Sequence, residues 1–118
     1  MFDHISLRTH QFDVMTAFYE KALAPLGIKK LMTFESGAGF GRDKPGLWIS
    51  KSGEPRSSVH LALTSPDQSV VRAFHAAALA AGAKDNGGPG PRGFAPNYYA
   101  AFVIDPDGNN IEAASRGV

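Results

Sequence analysis

The sequence predicts an α+β fold of two tandem βαβββ modules, which together form a cupped, mostly antiparallel eight-stranded sheet with one helix per module. Three observations support this prediction. Each half of the chain opens with a segment that alternates apolar and polar residues, and a helical pattern ending at a glycine follows it. Distinct residues also recur at a spacing near 56, since His4 and His60 are 56 apart and Gly27 and Gly82 are 55 apart.

Length and composition indicate one domain covering residues 1–118, with module one at about 1–53 and module two at about 57–118. The chain is 43% hydrophobic and 19% charged and has no apolar run of about 20 residues, so we expect no membrane insertion. A secretory leader pattern is absent from the first residues, so we expect a cytoplasmic protein. A formal charge of +1 argues against nucleic acid as a partner. Without cysteine, metal ligands must come from His, Asp and Glu.

In module one, residues 2–8 alternate in the manner of a strand. Asp13 is the expected N-cap of a helix whose apolar residues fall at four-residue spacing and which ends at Gly27. Its predicted packing stripe is Val14, Phe18, Ala22 and Leu26. Turn residues then separate three short predicted strands, at 29–35, 37–42 and 47–51.

In module two, residues 57–64 alternate again. Ser65 to Gln68 predicts a helix start, with Ser65 as N-cap, and the helix runs to about Ala81. The glycine- and proline-rich stretch 86–93 predicts a loop, either a lid that carries Arg92 inward or a plain connector. Three further strands are expected, and the turn residues at 105–109 predict a hairpin between the last two.

Several segments resemble the vicinal oxygen chelate superfamily, which includes glyoxalase I, extradiol dioxygenases, fosfomycin-inactivating transferases and bleomycin resistance proteins. These segments are His4, Phe18-Tyr19 with Leu26-Gly27, His60, and the run from Phe102 to Glu112. The resemblance covers nearly the whole chain. It implies a metal in the cupped sheet, ligands from the first and last strands of the modules, and a homodimer. It also implies His4, His60 and Glu112 as the metal ligands.

Two imidazoles and one carboxylate can hold a divalent metal ion and leave positions open for a substrate. Iron(II), manganese(II), nickel(II) and zinc(II) all suit such a set. Alternation places His4, His60 and Glu112 on the sheet faces opposite their apolar neighbours. Glu112 is also the predicted catalytic residue. Aligning the turn at 43–46 with that at 105–108 puts Ser50 where module two has Glu112, so we do not expect the four-ligand site of glyoxalase I.

Other residues are predicted to contact a small-molecule substrate: Arg8, Phe40, Trp48, Ser50, Arg92 and Tyr99. Tyr98 and Tyr99 must point to opposite faces, and Tyr99 is the one we expect in the cup. The leading hypothesis is a metal-dependent lyase, dioxygenase or transferase that acts on vicinal oxygens. The alternative is a metal-free protein that sequesters a flat ligand. The cup closes either within one chain or across a swapped homodimer.

Overall fold

The computed structural model describes residues 1–117, and it contains eight strands and two α-helices in two βαβββ modules. This confirms the predicted α+β architecture; the predicted end of module two at residue 118 lies outside the described residues. Module one consists of β1 (Ile5–Thr9), α1 (Phe12–Ala22), a short 3-10 helix (Ala24–Leu26), β2 (Lys29–Thr33), β3 (Gly37–Gly41) and β4 (Leu47–Lys51). Module two consists of β5 (His60–Thr64), α2 (Gln68–Ala80), β6 (Lys84–Pro91), β7 (Tyr99–Ile104) and β8 (Asn110–Ser115).

The strands of each module form their own four-stranded sheet. Their orders are β1-β4-β3-β2 and β5-β8-β7-β6, so the two modules repeat the same topology. The first and last strands of each module pair in parallel, and all other pairings are antiparallel. The mostly antiparallel character is therefore confirmed, with the eight strands divided equally between two sheets.

Both helices start at different caps from those expected. Asp13 lies inside the first turn of α1, and Gln11 is the N-cap without a side-chain hydrogen bond. For α2 the cap is Asp67, whose carboxylate accepts a bond of 3.0 Å from the Val70 N–H, while Ser65 donates its hydroxyl to the Asp67 carbonyl. A carboxylate satisfies a free N–H of the first turn, which explains why Asp67 and not Ser65 begins the helix.

The glycine- and proline-rich stretch is a strand, so its prediction as a loop was wrong. β6 runs from Lys84 to Pro91 and pairs with β7, with register shifts on either side of Gly87. Gly87 has φ of 148°, a conformation that glycine adopts freely. β6 is an edge strand, where proline is tolerated because one side of the strand has no partner to bond.

Both modules contribute to one hydrophobic core. The helix-facing residues of both sheets join it, and α1 packs against α2 within it. Since strand residues alternate between faces, the other face of each sheet points away from this core. We call these the module-one outer face, which carries Ser6, Arg8, Met32, Trp48 and Ser50, and the module-two outer face, which carries His60, Ala62, Phe102 and Glu112. None of these outer-face residues belongs to the shared core.

A polar cluster also joins the modules. The Tyr19 hydroxyl of α1 donates to Asp105 Oδ2 at 2.6 Å, and Gln11 Nε2 donates to Asp107 Oδ1 at 2.6 Å. Both acceptors belong to the turn between β7 and β8, so this turn fixes module two against α1. Among the described residues, no helix has the length and apolar character needed to cross a membrane.

Candidate functional site

His60 and Glu112 lie together on the module-two outer face. His60 opens β5 and Glu112 lies in the centre of β8, the neighbouring strand, where it is the register partner of Ala62. His60 Nε2 is 3.1 Å from Glu112 Oε1. The Glu112 side chain is only 4% exposed, whereas the His60 ring is 51% exposed. The structure thus brings two of the three predicted metal ligands together within one chain.

The tautomer of His60 follows from its second hydrogen bond. His60 Nδ1 is 3.0 Å from the Asn110 carbonyl oxygen, which can only accept, so Nδ1 carries a proton. Nε2 then faces the Glu112 carboxylate either protonated or with its lone pair. At 3.1 Å from Glu112 Oε1, Nε2 can share either a proton or a metal ion with this oxygen.

The same distance suits a metal ion. Two ligands with metal bonds of about 2.1 Å, in adjacent positions of an octahedron, are about 3.0 Å apart. A histidine ligand usually donates its other ring N–H to a carbonyl or carboxylate, as His60 does to Asn110. His60 and Glu112 therefore fit two neighbouring positions of a single divalent ion.

Tyr98 holds the second oxygen of Glu112, and the sequence did not predict this role. Its hydroxyl donates a hydrogen bond to Glu112 Oε2. This hydrogen bond, followed by burial, raises the pKa of Tyr98 above its usual 10.0. The phenol therefore stays protonated and remains a donor at physiological pH. Tyr99 was expected in its place, but Tyr99 packs against the core, where its hydroxyl accepts from Arg72.

His4 does not join His60 and Glu112 within one chain. Its Nδ1 lies 2.7 Å from Asp3 Oδ1, and its ring is 53% exposed. It borders a cavity of about 310 Å³ between the modules, whose apolar walls include Leu23, Leu61 and Leu63. Within residues 1–117, no three His, Asp or Glu side chains are grouped closely enough to bind one metal ion. The predicted triad is therefore not formed by a single copy of the chain.

The module-one outer face carries an aromatic pair. The rings of Phe34 and Trp48 stack at 6.1 Å with an interplanar angle of 10°. Strand register pairs Trp48 with Ser6, as it pairs Glu112 with Ala62. Ser6 and Ala62 each lie two residues after a histidine, His4 or His60. Trp48, and not Ser50, is therefore the module-one counterpart of Glu112, so the alignment based on the two turns was wrong. With either residue, β4 supplies no carboxylate.

The remaining predicted substrate residues are divided between the core and the two outer faces. Phe40 is 1% exposed and lies in the core, so it does not line an outer face. Arg8 pairs in register with Ser50 on the module-one outer face, and its Nε donates to the Pro55 carbonyl at 3.0 Å. Arg92 lies on the module-two outer face, with its guanidinium over the Phe102 ring.

Comparisons with known proteins agree on one family. A family model described as the Glyoxalase/Bleomycin resistance protein/Dioxygenase superfamily matches residues 1–113. The chain is similar to the crystal structure of a glyoxalase/bleomycin resistance protein from Albidiferax ferrireducens, with 28% identity over 99% of both chains and a TM-score of 0.86. No protein of the curated reference set matches significantly.

Two more distant structures share the fold. A glyoxalase/bleomycin resistance protein/dioxygenase family enzyme from Burkholderia phytofirmans has 17% identity over 98% of both chains and a TM-score of 0.77. A mutant of glyoxalase I from Zea mays has 20% identity and a TM-score of 0.75, over 99% of this chain and 45% of that one.

Proposed function

The chain belongs to the Glyoxalase/Bleomycin resistance protein/Dioxygenase superfamily, and from this membership we propose that it is a metal-dependent enzyme acting on a small molecule with vicinal oxygens. One observation carries the proposal. His60 Nε2 and Glu112 Oε1 converge to 3.1 Å on an outer face, and each ligand is oriented by its own hydrogen bond. Such supporting hydrogen bonds are typical of metal ligands.

The residues around His60 and Glu112 have different roles in this site. The Asn110 carbonyl keeps the proton on His60 Nδ1 and so directs the Nε2 lone pair toward Glu112. Tyr98 fixes one oxygen of Glu112 and leaves Oε1 available as a ligand or a proton acceptor. A divalent ion bound here would polarise the substrate oxygens as a Lewis acid. The native metal is one of iron(II), manganese(II), nickel(II) and zinc(II).

We further propose that a second copy of the chain supplies His4. The module-one outer face of one copy would then cover the module-two outer face of the other. Large apolar side chains are exposed on the module-one outer face, with Phe34 at 54% and Met32 at 42% exposure. Exposed apolar patches of this kind mark contact surfaces. The homodimer thus explains both the incomplete triad and the exposed aromatic pair.

Elemental analysis tests the proposed function. Wild-type protein purified without chelator should contain near-stoichiometric metal, and His60→Ala and Glu112→Ala should each lose it. His75→Ala is the matched control, because His75 also contacts a carboxylate, Asp85, but belongs to α2 on the core side of the sheet. Wild type that stays metal-free after incubation with all four ions would contradict the proposal.

A second candidate function rests on the stacked Phe34–Trp48 pair. A metal-free protein of the bleomycin resistance type would hold a flat ligand against these rings. Trp48 is the one tryptophan of the chain, so its fluorescence reports such binding directly. In that case Trp48→Ala would abolish ligand binding, and chelator treatment would leave binding unchanged.

A further inference from the structure

We propose that Arg92 binds an anionic oxygen group of the substrate, so that this protein selects small organic anions, such as carboxylates. This proposal rests on the proposed function, because the metal ion at His60 and Glu112 would set the position of the substrate's vicinal oxygens. Binding of the anionic group by Arg92 does not itself require the metal ion.

Arg92 and His60 contact the same ring. The Arg92 guanidinium carbon is 5.4 Å from the centre of the Phe102 ring, and the His60 ring is stacked 6.1 Å from that centre. Phe102 is also the register partner of Glu112. By the sum of the two distances, the guanidinium lies within about 11.5 Å of the His60 ring centre. The strand order β5-β8-β7-β6 places Phe102 between the two groups, so a ligand that contacts both must extend across the edge of this ring.

The backbone of β6 holds the guanidinium in this position. Arg92 donates to the Gly88 carbonyl at 2.7 Å and to the Pro91 carbonyl at 3.3 Å. Glycines leave the space that the guanidinium fills, because a Cβ at Gly87 or Gly90 would lie 3.3 Å or 3.1 Å from its nitrogens. A guanidinium has five N–H donors, so most of them remain available to a ligand.

Arg92 also lacks a charged partner. Among residues 1–117, no carboxylate oxygen lies within 4.0 Å of its guanidinium. Glu112, the carboxylate on the same face, is already engaged by His60 and Tyr98. A positioned, half-buried guanidinium with free donors suits the forked recognition of a carboxylate.

A binding experiment with two matched probes tests the inference. Catechol has vicinal oxygens, and protocatechuate is catechol bearing a carboxylate. Calorimetry should show that wild type binds protocatechuate about tenfold to a hundredfold more tightly than catechol. Arg92→Gln should remove this preference, and Arg92→Lys should retain part of it.

Arg72→Gln is the matched control. Arg72 also lies over an aromatic ring, that of Tyr99, but it belongs to α2 and does not face His60. This variant should keep the wild-type preference. A purely structural role for Arg92 would lower thermal stability in Arg92→Gln while the ratio of the two affinities stayed unchanged, and that result would overturn the inference.

Two further outcomes separate this inference from the proposed function. If wild type contains no metal but still prefers protocatechuate through Arg92, the metal mechanism fails and the inference stands. If metal is bound but wild type shows no preference for protocatechuate, or binds neither probe at millimolar concentration, the inference fails.

Discussion

At the scale of single residues, both side-chain oxygens of Glu112 have a polar partner. Oε1 faces His60 Nε2, and Oε2 accepts from the Tyr98 hydroxyl. A buried carboxylate is costly unless its charge is compensated, and here each oxygen has a partner. The arrangement fixes the Glu112 side chain in a position that is nearly closed to solvent.

Tyr98→Phe should therefore weaken metal binding without unfolding the protein. Loss of a hydrogen-bonding partner behind a metal ligand lowers affinity by about tenfold to a hundredfold. Competition with a chromophoric chelator measures the change. Tyr99→Phe is the control, because its hydroxyl contacts Arg72 and not Glu112. Equal metal affinity in the two variants would show that Tyr98 has no role at the site.

The sequence predicts the site residues in part. The family resemblance implies His60 and Glu112 as site residues. Alternation predicts their sheet face, because each lies next to an apolar residue of its strand that belongs to the other face. Tyr98 and Tyr99 point to opposite faces, as alternation requires, but which of the two faces Glu112 depends on the register of β7 against β8. The position of His4 relative to the other two ligands depends on how the modules pack, which no local pattern specifies.

At the scale of elements, β3 is shaped by the indole of Trp48. A Cβ at Gly39 would lie 2.9 Å from the Trp48 ring and 3.0 Å from Pro45. At Gly37, two residues earlier on the same face, a Cβ would make only ordinary contacts, the nearest at 3.7 Å. Gly39 therefore allows the indole to lie flat against the sheet.

Gly39→Ala should displace Trp48 and destabilise the protein by about 1–3 kcal/mol, the usual cost of overpacking. Tryptophan fluorescence and urea unfolding measure the two effects. Gly37→Ala should change neither the emission spectrum nor the free energy of unfolding by a comparable amount. If both variants gave wild-type spectra, the contact between Gly39 and Trp48 would not determine the ring position.

β6 shows why some secondary-structure elements cannot be predicted from local sequence. Its glycines and prolines indicate a loop when judged by propensity alone. The strand forms because pairing with β7 outweighs propensity, and because bulges around Gly87 absorb the irregular spacing. Most other element positions were predicted, although their ends and the helix caps differ from the structure.

At the scale of the whole molecule, Tyr19 contributes to the junction between the modules. Its hydroxyl bonds to Asp105 across the junction. Tyr19→Phe removes this bond and should lower the free energy of unfolding by about 1–3 kcal/mol. Urea unfolding measures the loss, with Tyr99→Phe as the control. A loss no larger than that of the control would contradict this role.

The Tyr19 contribution should also depend on pH. Burial, followed by the neighbouring Asp105 charge, raises the pKa of Tyr19 well above 10.0 in the folded protein. The stability that it provides is then fully present below pH 10.0, the unfolded value, and is lost as pH rises beyond it. Tyr19→Phe should therefore lose stability less steeply than wild type in alkaline solution, as urea unfolding at several pH values measures.

At the level of the whole fold, His4 does not join His60 and Glu112 among residues 1–117. Both sheets pack their helix-facing sides into one core, so each outer face points away from that core. The sequence predicts the repeat and the two faces, but it leaves open whether the faces meet within one chain or between two. The incomplete triad in one chain favours completion between two copies.

A mixed dimer tests this claim most directly. Neither His4→Ala nor His60→Ala should bind metal alone. When the two variants are co-expressed and the heterodimer is isolated with two different tags, one of its two sites contains only intact residues. We expect metal at about half of the wild-type stoichiometry in this heterodimer. Metal-free heterodimer, with wild type still fully loaded, would contradict a site completed between copies.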